Sequence, residues 1–386
     1  MTSGGTPHQD GRIDVPTRYG GYPVLVGRGI LAKLGAIVAE HAAADRLVII
    51  SDDNVRPLHA ERLAEICRSA GFAVASFGFP AGEASKSRTS WSRLTDEMLD
   101  AGLDRDCCVL AVGGGVTTDL GGFVAATYLR GVPVLQVPTS YLAMIDASIG
   151  GKTGVNVAAG KNLVGAFHPP AAVVIDTLVL GTLPISERGG GLVEAVKHGA
   201  LLDERHLSDI ERALPSLLEA DAEDASRCVL ASVRLKAQVV SSDELEGGYR
   251  QILNFGHTIG HALEAASGYG LGHGRAVALG MLVEAAAGER IGVTRSGTMG
   301  RLDAVLRPLL EAGGGAEVEL DPEGVGRYLG ADKKSRRGRP RYVLLERIGR
   351  VAEIEGWTHE LPDEVVSEAL SQVLSREAGL SGRKVG

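Results

Sequence analysis

Residues 137–168, VPTSYLAMIDASIGGKTGVNVAAGKNLVGAFH, concentrate ionisable and amide side chains among glycines and other small residues. These side chains are Asp146, Lys152, Asn156, Lys161, Asn162 and His168. So many polar groups in one short segment are not typical of a protein core, where each buried polar group needs a partner. We therefore predict that they converge on a charged, hydroxylated ligand.

A second group of residues has the chemistry of a metal site. The sequence NFGHTIGH at 254–261 places His257 and His261 four residues apart, so that on a helix they share one face. His273 follows twelve residues later, and Glu194 offers a carboxylate from another predicted helix. Imidazoles and a carboxylate form a donor set for a catalytic divalent metal. Spacing alone nominates His257 and His261 as the ligand pair, and the alternative is that these histidines are structural.

The same motif argues against a zinc peptidase. An H-E-x-x-H peptidase needs a glutamate directly after its first histidine to act as the general base. Thr258 occupies that position in this chain. The histidines are therefore predicted to serve a different metal-dependent reaction.

A glycine-rich turn indicates a nucleotide site. The apolar run Cys107–Val112 leads into Gly113, Gly114 and Gly115 and then into a predicted helix that continues to Ala126. Glycines between a strand and a helix let backbone N–H groups approach a phosphate, and the helix dipole favours the anion. The motif departs from G-x-G-x-x-G, so a simple turn is the alternative.

Polar residues that follow two other predicted strands strengthen the nucleotide interpretation. Asp52 and Asn54 come just after the first strong strand, where ribose hydroxyls are usually bound. Glu83 and Lys86 follow another strand. For Glu83 and Lys86 the alternative is an ion pair within a loop.

The elements that must position these groups change character along the chain. The first half alternates helix-length segments with apolar runs of strand length, namely Arg46–Ser51, Ala73–Phe77, Cys107–Val112, Val134–Val137 and Ala172–Ile175. This βαβ rhythm predicts an α/β domain with a Rossmann-like parallel sheet that binds a nucleotide, at 1–181. From 182 to 386 the helical spacing of apolar residues predicts a mainly α-helical, metal-binding domain.

Composition and charge exclude several classes of protein. The chain has 386 residues, 44% of them hydrophobic, which is enough to bury the cores of two domains. A formal net charge of −8 argues against a nucleic-acid or membrane-surface binder, so an anionic substrate must meet a local basic pocket. The chain has no apolar signal-peptide core, no membrane-length apolar run and no C-x-x-C spacing among its cysteines. We expect a cytoplasmic protein.

Motifs from about Asp52 to Leu345 together resemble those of the 3-dehydroquinate synthase family, in order and over nearly the whole chain. They are GGGVTTDLGGFVAATYLRG, VPTSYLAMIDASIGGKTGVN, GKNLVGAFH, EAVKHG, LNFGHTIGHALE, HGRAVALGM and DKK at 332–334. The resemblance implies an NAD- and zinc-dependent lyase, with Co²⁺ as a possible substitute for zinc. Its small-molecule substrate would be the sugar acid phosphate 3-deoxy-D-arabino-heptulosonate 7-phosphate, converted into 3-dehydroquinate and phosphate in the shikimate pathway. The resemblance also implies a homodimer, in which Arg130 reaches the substrate phosphate of the neighbouring subunit.

The resemblance assigns roles residue by residue. The implied metal ligands are Glu194, His257 and His273, a set that replaces the choice made on spacing and leaves His261 for the substrate phosphate. The implied NAD contacts are Asp52, Asn54, Glu83, Lys86, Gly114, Gly115, Val116, Asp119, Thr139, Ser140, Lys161, Thr182 and Leu183. The implied substrate-binding and catalytic residues are Arg130, Asp146, Lys152, Asn162, Lys197, Lys236, Arg250, Asn254, His261 and one lysine of Lys333 and Lys334.

The chain departs from the usual family pattern at three positions. Ser140 stands where a threonine is common and keeps the hydroxyl, and Thr118 stands where a glycine commonly precedes Asp119. Arg275 stands where an acidic residue is common. A cation near the metal would weaken metal binding unless its side chain points away.

Three other interpretations stay open at this point. Aminodehydroquinate, valiolone-type and deoxy-scyllo-inosose synthases are related cyclases, but the last two act on substrates without a carboxylate and usually change the positions of Lys236, Asn254 and His261. The amino variant is harder to separate, because its substrate differs by one group. A dehydrogenase resembling the glycerol dehydrogenases would lack the phosphate-binding set, and a non-catalytic nucleotide binder would not need a metal cluster.

Overall fold

The computed structural model describes residues 8–18, 20–313, 320–331 and 339–381. The chain divides into two compact units. The first unit consists of 1–184 together with 219–245, and the second consists of 185–218 together with 246–386. The predicted combination of a parallel-sheet α/β domain and a mainly α-helical domain is confirmed.

The first unit is built on a central sheet. Its strands are β1 His8–Thr17, β2 Gly20–Arg28, β3 Arg46–Asp52, β4 Ala73–Phe79, β5 Cys107–Gly113, β6 Val134–Pro138, β7 Lys152–Val157, β8 Gly160–Phe167 and β9 Ala172–Asp176. Seven of them form one sheet in the order β1-β2-β9-β6-β5-β3-β4, in which only the β1–β2 pair is antiparallel. β7 and β8 form a separate antiparallel pair.

All five apolar runs that were predicted as strands lie in this sheet. β5 and β9 are buried along their whole length, as parallel strands covered on both faces must be. The β1–β2 and β7–β8 hairpins were not predicted. β1 is a polar edge strand and β8 alternates exposed with partly buried residues, so neither has a continuous apolar run.

Helices cover the sheet of the first unit. They are α1 Leu34–His41, α2 Glu61–Ser69, α3 Arg88–Asp100, α4 Gly115–Thr127 and, later in the chain, α7 Ala222–Ser242. Helical spacing predicts a second domain that includes all of 182–386, whereas α7 packs against β1 and β2 in the first unit. Its helical periodicity shows a buried face but not which partner that face contacts, which explains the difference.

The second unit is mainly helical. Its helices are α5 Ile185–Leu202, α6 Glu204–Leu218, α8 His257–Ala266, α9 His273–Arg290, α10 Thr298–Ala312, α11 Pro322–Ala331 and α12 Asp363–Ser381. α9 is buried along most of its length and packs against α5, α8, α10 and α12. A short antiparallel pair, β10 Leu345–Arg347 with β11 Arg350–Val351, completes the unit.

Two features bear on the class of protein. Within the described ranges, no helix combines the length and the apolar character needed to cross a lipid bilayer. The four cysteines are buried free thiols, and burial raises the pKa of Cys108 and of Cys228 to about 12. Thiols with such pKa values stay protonated at neutral pH, so they are packing groups rather than nucleophiles.

Candidate active site

Close packing between two helices brings two of the histidines together. α8 begins at His257 and α9 begins at His273. A Cβ atom at Gly280 would lie 2.0 Å from the carbonyl oxygen of Gly256, so only glycine at 280 allows α8 and α9 to approach this closely. The imidazole centroids of His257 and His273 are consequently 5.5 Å apart.

A second close approach places Glu194 beside these histidines. Glu194 lies on α5, and a Cβ atom at Gly274 would lie 2.2 Å from the carbonyl oxygen of Gly190 on that helix. The start of α9 therefore contacts α5 backbone to backbone. Potential ligand atoms of Glu194, His257 and His273 all lie within 4.8 Å of one another.

The donor chemistry of this cluster fits a divalent metal. Glu194 is 1% exposed, and its Oε1 lies 3.8 Å from His257 Nε2. Lys197 forms an ion pair with Oε2, but no described residue donates a well-oriented hydrogen bond to either oxygen. Buried carboxylate oxygens that lack hydrogen bonds are costly unless a cation uses them. Two imidazoles and one carboxylate form a three-ligand set typical of catalytic zinc.

The other histidine of the i, i+4 pair lies beside this cluster. The ring centroid of His261 is 5.6 Å from that of His257 and 6.3 Å from that of His273. The group whose ligand atoms converge contains His273 rather than His261. This geometry agrees with the ligand set implied by the family resemblance and differs from the one nominated by spacing.

Two further predicted residues of the second unit are partly or fully buried. Arg250 is almost fully buried in a 3₁₀ turn at Tyr249–Asn254. Asn254 donates a hydrogen bond from Nδ2 to Glu246 Oε1, 3.3 Å away. Glu246 is not among the residues predicted from the sequence, and it has a left-handed backbone with φ of 61°. Non-glycine residues in that conformation cluster at functional sites, and only the structure shows the conformation.

Arg275, one of the departures from the family pattern, is neutralised in the structure. Its Nη2 lies 2.5 Å from Glu377 Oε1 on α12. Arg307 on α10 lies 2.5 Å from the other oxygen of Glu377. The positive charge of Arg275 is therefore engaged by a carboxylate, which reduces its repulsion of a metal ion at the neighbouring His273.

In the first unit, the polar side chains of 137–168 contact several different protein groups. Asp146 forms an ion pair with Lys236 on α7. Asn156 donates from Nδ2 to Glu83 Oε1 at 2.7 Å and accepts from the backbone N–H of Asn162 at 3.0 Å. His168 Nε2 lies 2.9 Å from a backbone carbonyl, that of Val132, which is a structural contact. Lys152 begins β7 and is exposed, and Lys161 lies at the start of β8.

The predicted nucleotide residues follow the carboxyl ends of the parallel strands. Asp52 is the last residue of β3, and its Oδ1 accepts hydrogen bonds from the backbone N–H groups of Asn54 and Val55, each at 2.9 Å. Gly114 caps α4 with extended backbone, directly after β5. Thr139, after β6, donates its N–H to the carbonyl of Gly113 at 2.9 Å. This edge of a parallel sheet is where α/β folds bind ligands.

A buried ion pair lies close to the same edge. Lys86 and Asp119 form an ion pair in which the lysine is almost fully buried. Burial raises the pKa of the Asp119 carboxyl, and the Lys86 ammonium opposes that rise. Thr182 Oγ1 lies 2.8 Å from His59 Nε2, and burial lowers the pKa of His59. The other predicted NAD residues of the first unit are Gly115, Val116, Ser140 and Leu183.

Arg130 has an unusual backbone. Leu129, Arg130 and Gly131 have φ values of 48°, 73° and 118° in succession. Left-handed backbone is unfavourable for leucine and arginine, and such strain clusters at functional positions. The remaining predicted residues, Lys333 and Lys334, lie outside the described residues.

Sequence comparison matches both halves of the chain to domains of one enzyme family. Models of the 3-dehydroquinate synthase N-terminal and C-terminal domains match residues 76–189 and 191–335. A 3-dehydroquinate synthase of Symbiobacterium thermophilum is 45% identical over 339 residues, which cover 86% of this chain and 92% of the relative. One from Caldanaerobacter subterraneus subsp. tengcongensis is 42% identical over 332 residues, with coverages of 86% and 92%.

Solved structures share the architecture. A 2-deoxy-scyllo-inosose synthase complexed with carbaglucose-6-phosphate, NAD⁺ and Co²⁺ matches with a TM-score of 0.86 at 25% identity, covering 94% of this chain and all of the other. A 2-epi-5-epi-valiolone synthase from Streptomyces hygroscopicus subsp. jinggangensis, with NAD⁺ and Zn²⁺ bound, matches with a TM-score of 0.82 at 29% identity, covering 92% and 97%. Glycerol dehydrogenase from Schizosaccharomyces pombe, at 17% identity and a TM-score of 0.62, covering 94% and 91%, shares the fold alone. Since both domain models match and identity is highest to the dehydroquinate enzymes among these proteins, the chain belongs to the 3-dehydroquinate synthase family.

Proposed function

We propose that the protein is a 3-dehydroquinate synthase, a carbon–oxygen lyase that converts 3-deoxy-D-arabino-heptulosonate 7-phosphate into 3-dehydroquinate and phosphate in the shikimate pathway. The observation that carries the proposal is the Glu194, His257 and His273 cluster, in a chain 45% identical to a 3-dehydroquinate synthase over most of its length. The matched inosose and valiolone synthases are 25% and 29% identical. A substrate that carries a carboxylate is therefore favoured.

Glu194, His257 and His273 would hold the metal, zinc by preference, with Co²⁺ as a substitute. A bound divalent ion acts as a Lewis acid on substrate oxygens and makes a hydroxyl easier to ionise at neutral pH. The chain supplies two helix-borne imidazoles and one buried carboxylate, and three protein ligands leave a position for substrate.

Residues at the carboxyl edge of the sheet would bind NAD. When bound, NAD supplies a reversible oxidation of the substrate, so the overall reaction consumes no oxidant. The N–H groups at Gly114 and Gly115 begin α4 and suit a pyrophosphate. The Asp52 carboxylate suits ribose hydroxyls. The remaining NAD set, including Asn54, Glu83, Lys86, Asp119, Lys161 and Thr182, is assigned by the family resemblance.

Buried cations would bind the two acidic ends of the substrate. Lys197, Lys236 and Arg250 are each at most 4% exposed in a protein of net charge −8. A planar guanidinium can donate two parallel hydrogen bonds to a carboxylate, so we assign Arg250 to the C1 carboxylate and Lys236 to a supporting charge. The other residues assigned to the substrate are Arg130, Asp146, Lys152, Asn162, Asn254, His261 and one lysine of Lys333 and Lys334.

The chain's part in the later steps is mainly to hold the substrate. Asn162, His261 and the lysines are assigned to the phosphate, whose own oxygen can accept the proton during elimination. Ring opening and internal aldol closure then need one flexible molecule kept in a reactive conformation. We also propose a homodimer, and a cytoplasmic location is supported by the four free, buried thiols.

The test measures inorganic phosphate and NADH together during one reaction. Protein loaded with zinc is mixed with the heptulosonate phosphate and a small amount of NAD. We expect one phosphate for each substrate molecule, many turnovers for each NAD, and no accumulation of NADH. A continuous rise in absorbance at the nicotinamide wavelength would instead show a net dehydrogenase. Protein stripped of metal serves as the control.

A further inference from the structure

A buried carboxylate outside the proposed ligand set contacts one of the metal histidines. Glu264 lies on α8 and is 3% exposed. Its Oε1 is 3.5 Å from Nδ1 of His273, at the start of α9. Glu264 follows His257 by seven residues, two helical turns, so α8 presents both toward α9 on the same side.

The contacts of His257, the other imidazole of the cluster, show how a partner at Nδ1 selects the ring tautomer. His257 Nδ1 lies 3.3 Å from the backbone carbonyl of Phe255, and His257 Nε2 faces Glu194. The carbonyl can only accept, so it selects the tautomer with the proton on Nδ1 and the lone pair on Nε2. At His273 the carboxylate of Glu264 lies beside Nδ1, the position that the carbonyl of Phe255 takes at His257.

We propose that Glu264 is a positioning residue for the metal site, which accepts the Nδ1 proton of His273 and thereby keeps Nε2 free as the ligand atom. The proposal rests on the metal site described above. A distance of 3.5 Å exceeds that of an ideal N–H···O bond, so we expect it to shorten once the ring is fixed through Nε2. A carboxylate acceptor also makes the imidazole a stronger donor to a metal.

The experiment measures zinc affinity directly, by competition with a chelator of known affinity, on the full-length protein. Glu264→Met keeps the buried volume and removes the acceptor, and we expect zinc binding weaker by about 10- to 100-fold. Glu264→Gln keeps an acceptor oxygen without the charge, so it should lose only several-fold. Glu289→Met is the matched control. Glu289 lies on α9, the helix of His273, and accepts a hydrogen bond from the backbone N–H of Met299, but it is about 24 Å along the helix from His273.

A second measurement separates positioning from a general loss of structure. Nitrogen NMR of histidine in the metal-free protein should show His273 protonated on Nδ1 in the wild type and in Glu264→Gln, and a mixture of tautomers in Glu264→Met. Thermal unfolding of each metal-free variant reports on folding. If Glu264→Met does not fold, Glu264→Gln decides, and zinc affinity equal to that of the wild type would overturn the proposal.

The outcomes also distinguish this proposal from the proposed function. Wild-type protein that binds no zinc would refute the metal site itself. Wild-type protein that binds zinc, with Glu264→Met binding it as tightly and with an unchanged His273 tautomer, would refute only the role of Glu264.

Discussion

Lys236 Nζ lies 2.6 Å from Asp146 Oδ1 and 2.5 Å from the backbone carbonyl of the same residue, across 90 positions of sequence. The lysine is buried, whereas the Asp146 side chain is 29% exposed. The two partners are therefore not equivalent. Loss of the carboxylate leaves a buried ammonium without this counter-charge, while loss of the ammonium leaves a carboxylate that water can reach.

This asymmetry predicts unequal stability. We expect Asp146→Asn to lower the free energy of unfolding by about 2 kcal/mol more than Lys236→Met does. Urea unfolding of the two single variants and of the double variant measures the difference and the coupling. Equal losses of unfolding free energy in the two single variants would contradict the idea that the buried Lys236 ammonium needs the Asp146 carboxylate. Both variants should also lower the rate of phosphate release.

Metal removal tests the ligand set. A chelator should abolish phosphate release, and added Zn²⁺ or Co²⁺ should restore it. Metal analysis of purified variants should show that His273→Ala has lost the metal, since its ring belongs to the converging cluster, and that His261→Ala retains it. Retention by His273→Ala with loss by His261→Ala would favour the i, i+4 pair instead.

The proposed role of Arg250 in binding the substrate carboxylate predicts which substrates are used. Two charge-assisted hydrogen bonds of about 1.5 kcal/mol or more each would be lost in Arg250→Ala, so kcat/KM should fall by about a hundredfold or more. Arg250→Lys should recover only part of this, because an ammonium cannot make the parallel pair. Sedoheptulose 7-phosphate, which lacks the carboxylate, should be a poor substrate. If it is used equally well and Arg250→Ala is harmless, the valiolone-type interpretation replaces ours.

The strained Arg130 is assigned by the family resemblance to the substrate phosphate of a neighbouring subunit. Arg130→Ala and Lys197→Ala proteins should each be inactive alone. Mixed and allowed to exchange subunits, they should regain part of the activity, because a mixed dimer can assemble one intact site. Exchange is followed with differently labelled subunits. Confirmed exchange without recovery would place Arg130 in the site of its own subunit.

Acid should destabilise the protein through His206 on α6. Burial lowers the pKa of His206 to about 4, despite the nearby Asp203 and Asp209. The unfolded histidine has a pKa of about 6.5, so between these values only the unfolded chain binds the proton. His206 therefore contributes its full stability above pH 6.5 and loses it as the pH falls toward 4.

The comparison with His206→Gln isolates this effect. Between pH 7 and pH 5, the free energy of unfolding of the wild type should fall by about 2 kcal/mol more than that of the variant. Denaturant unfolding at the two pH values measures it. Parallel losses in wild type and variant would show that His206 does not titrate on unfolding in this range.

Local features of the sequence determined much of the fold. The five apolar runs are all strands of the main sheet, because a parallel strand buried on both faces needs a continuous apolar segment. The family motifs are also local, since the residues that carry them are contiguous, and the domain models match both halves. By contrast, β1 and β8 have no such run and follow from pairing with their neighbours, whereas β2 is buried from Tyr22 to Gly27 although no strand was predicted there.

The composition of the proposed metal cluster was decided by tertiary structure. Spacing along one helix favours His257 with His261, whereas the structure joins His257 to His273 and Glu194 on two other helices. That choice depends on backbone contacts at Gly280 and Gly274, which let α5, α8 and α9 approach. Tertiary structure also decided three other pairings: α7 with the sheet, Glu264 with His273, and Glu377 with Arg275. Each pairs residues distant in sequence or on separate helices, and helix periodicity specifies which face is buried without specifying what that face meets.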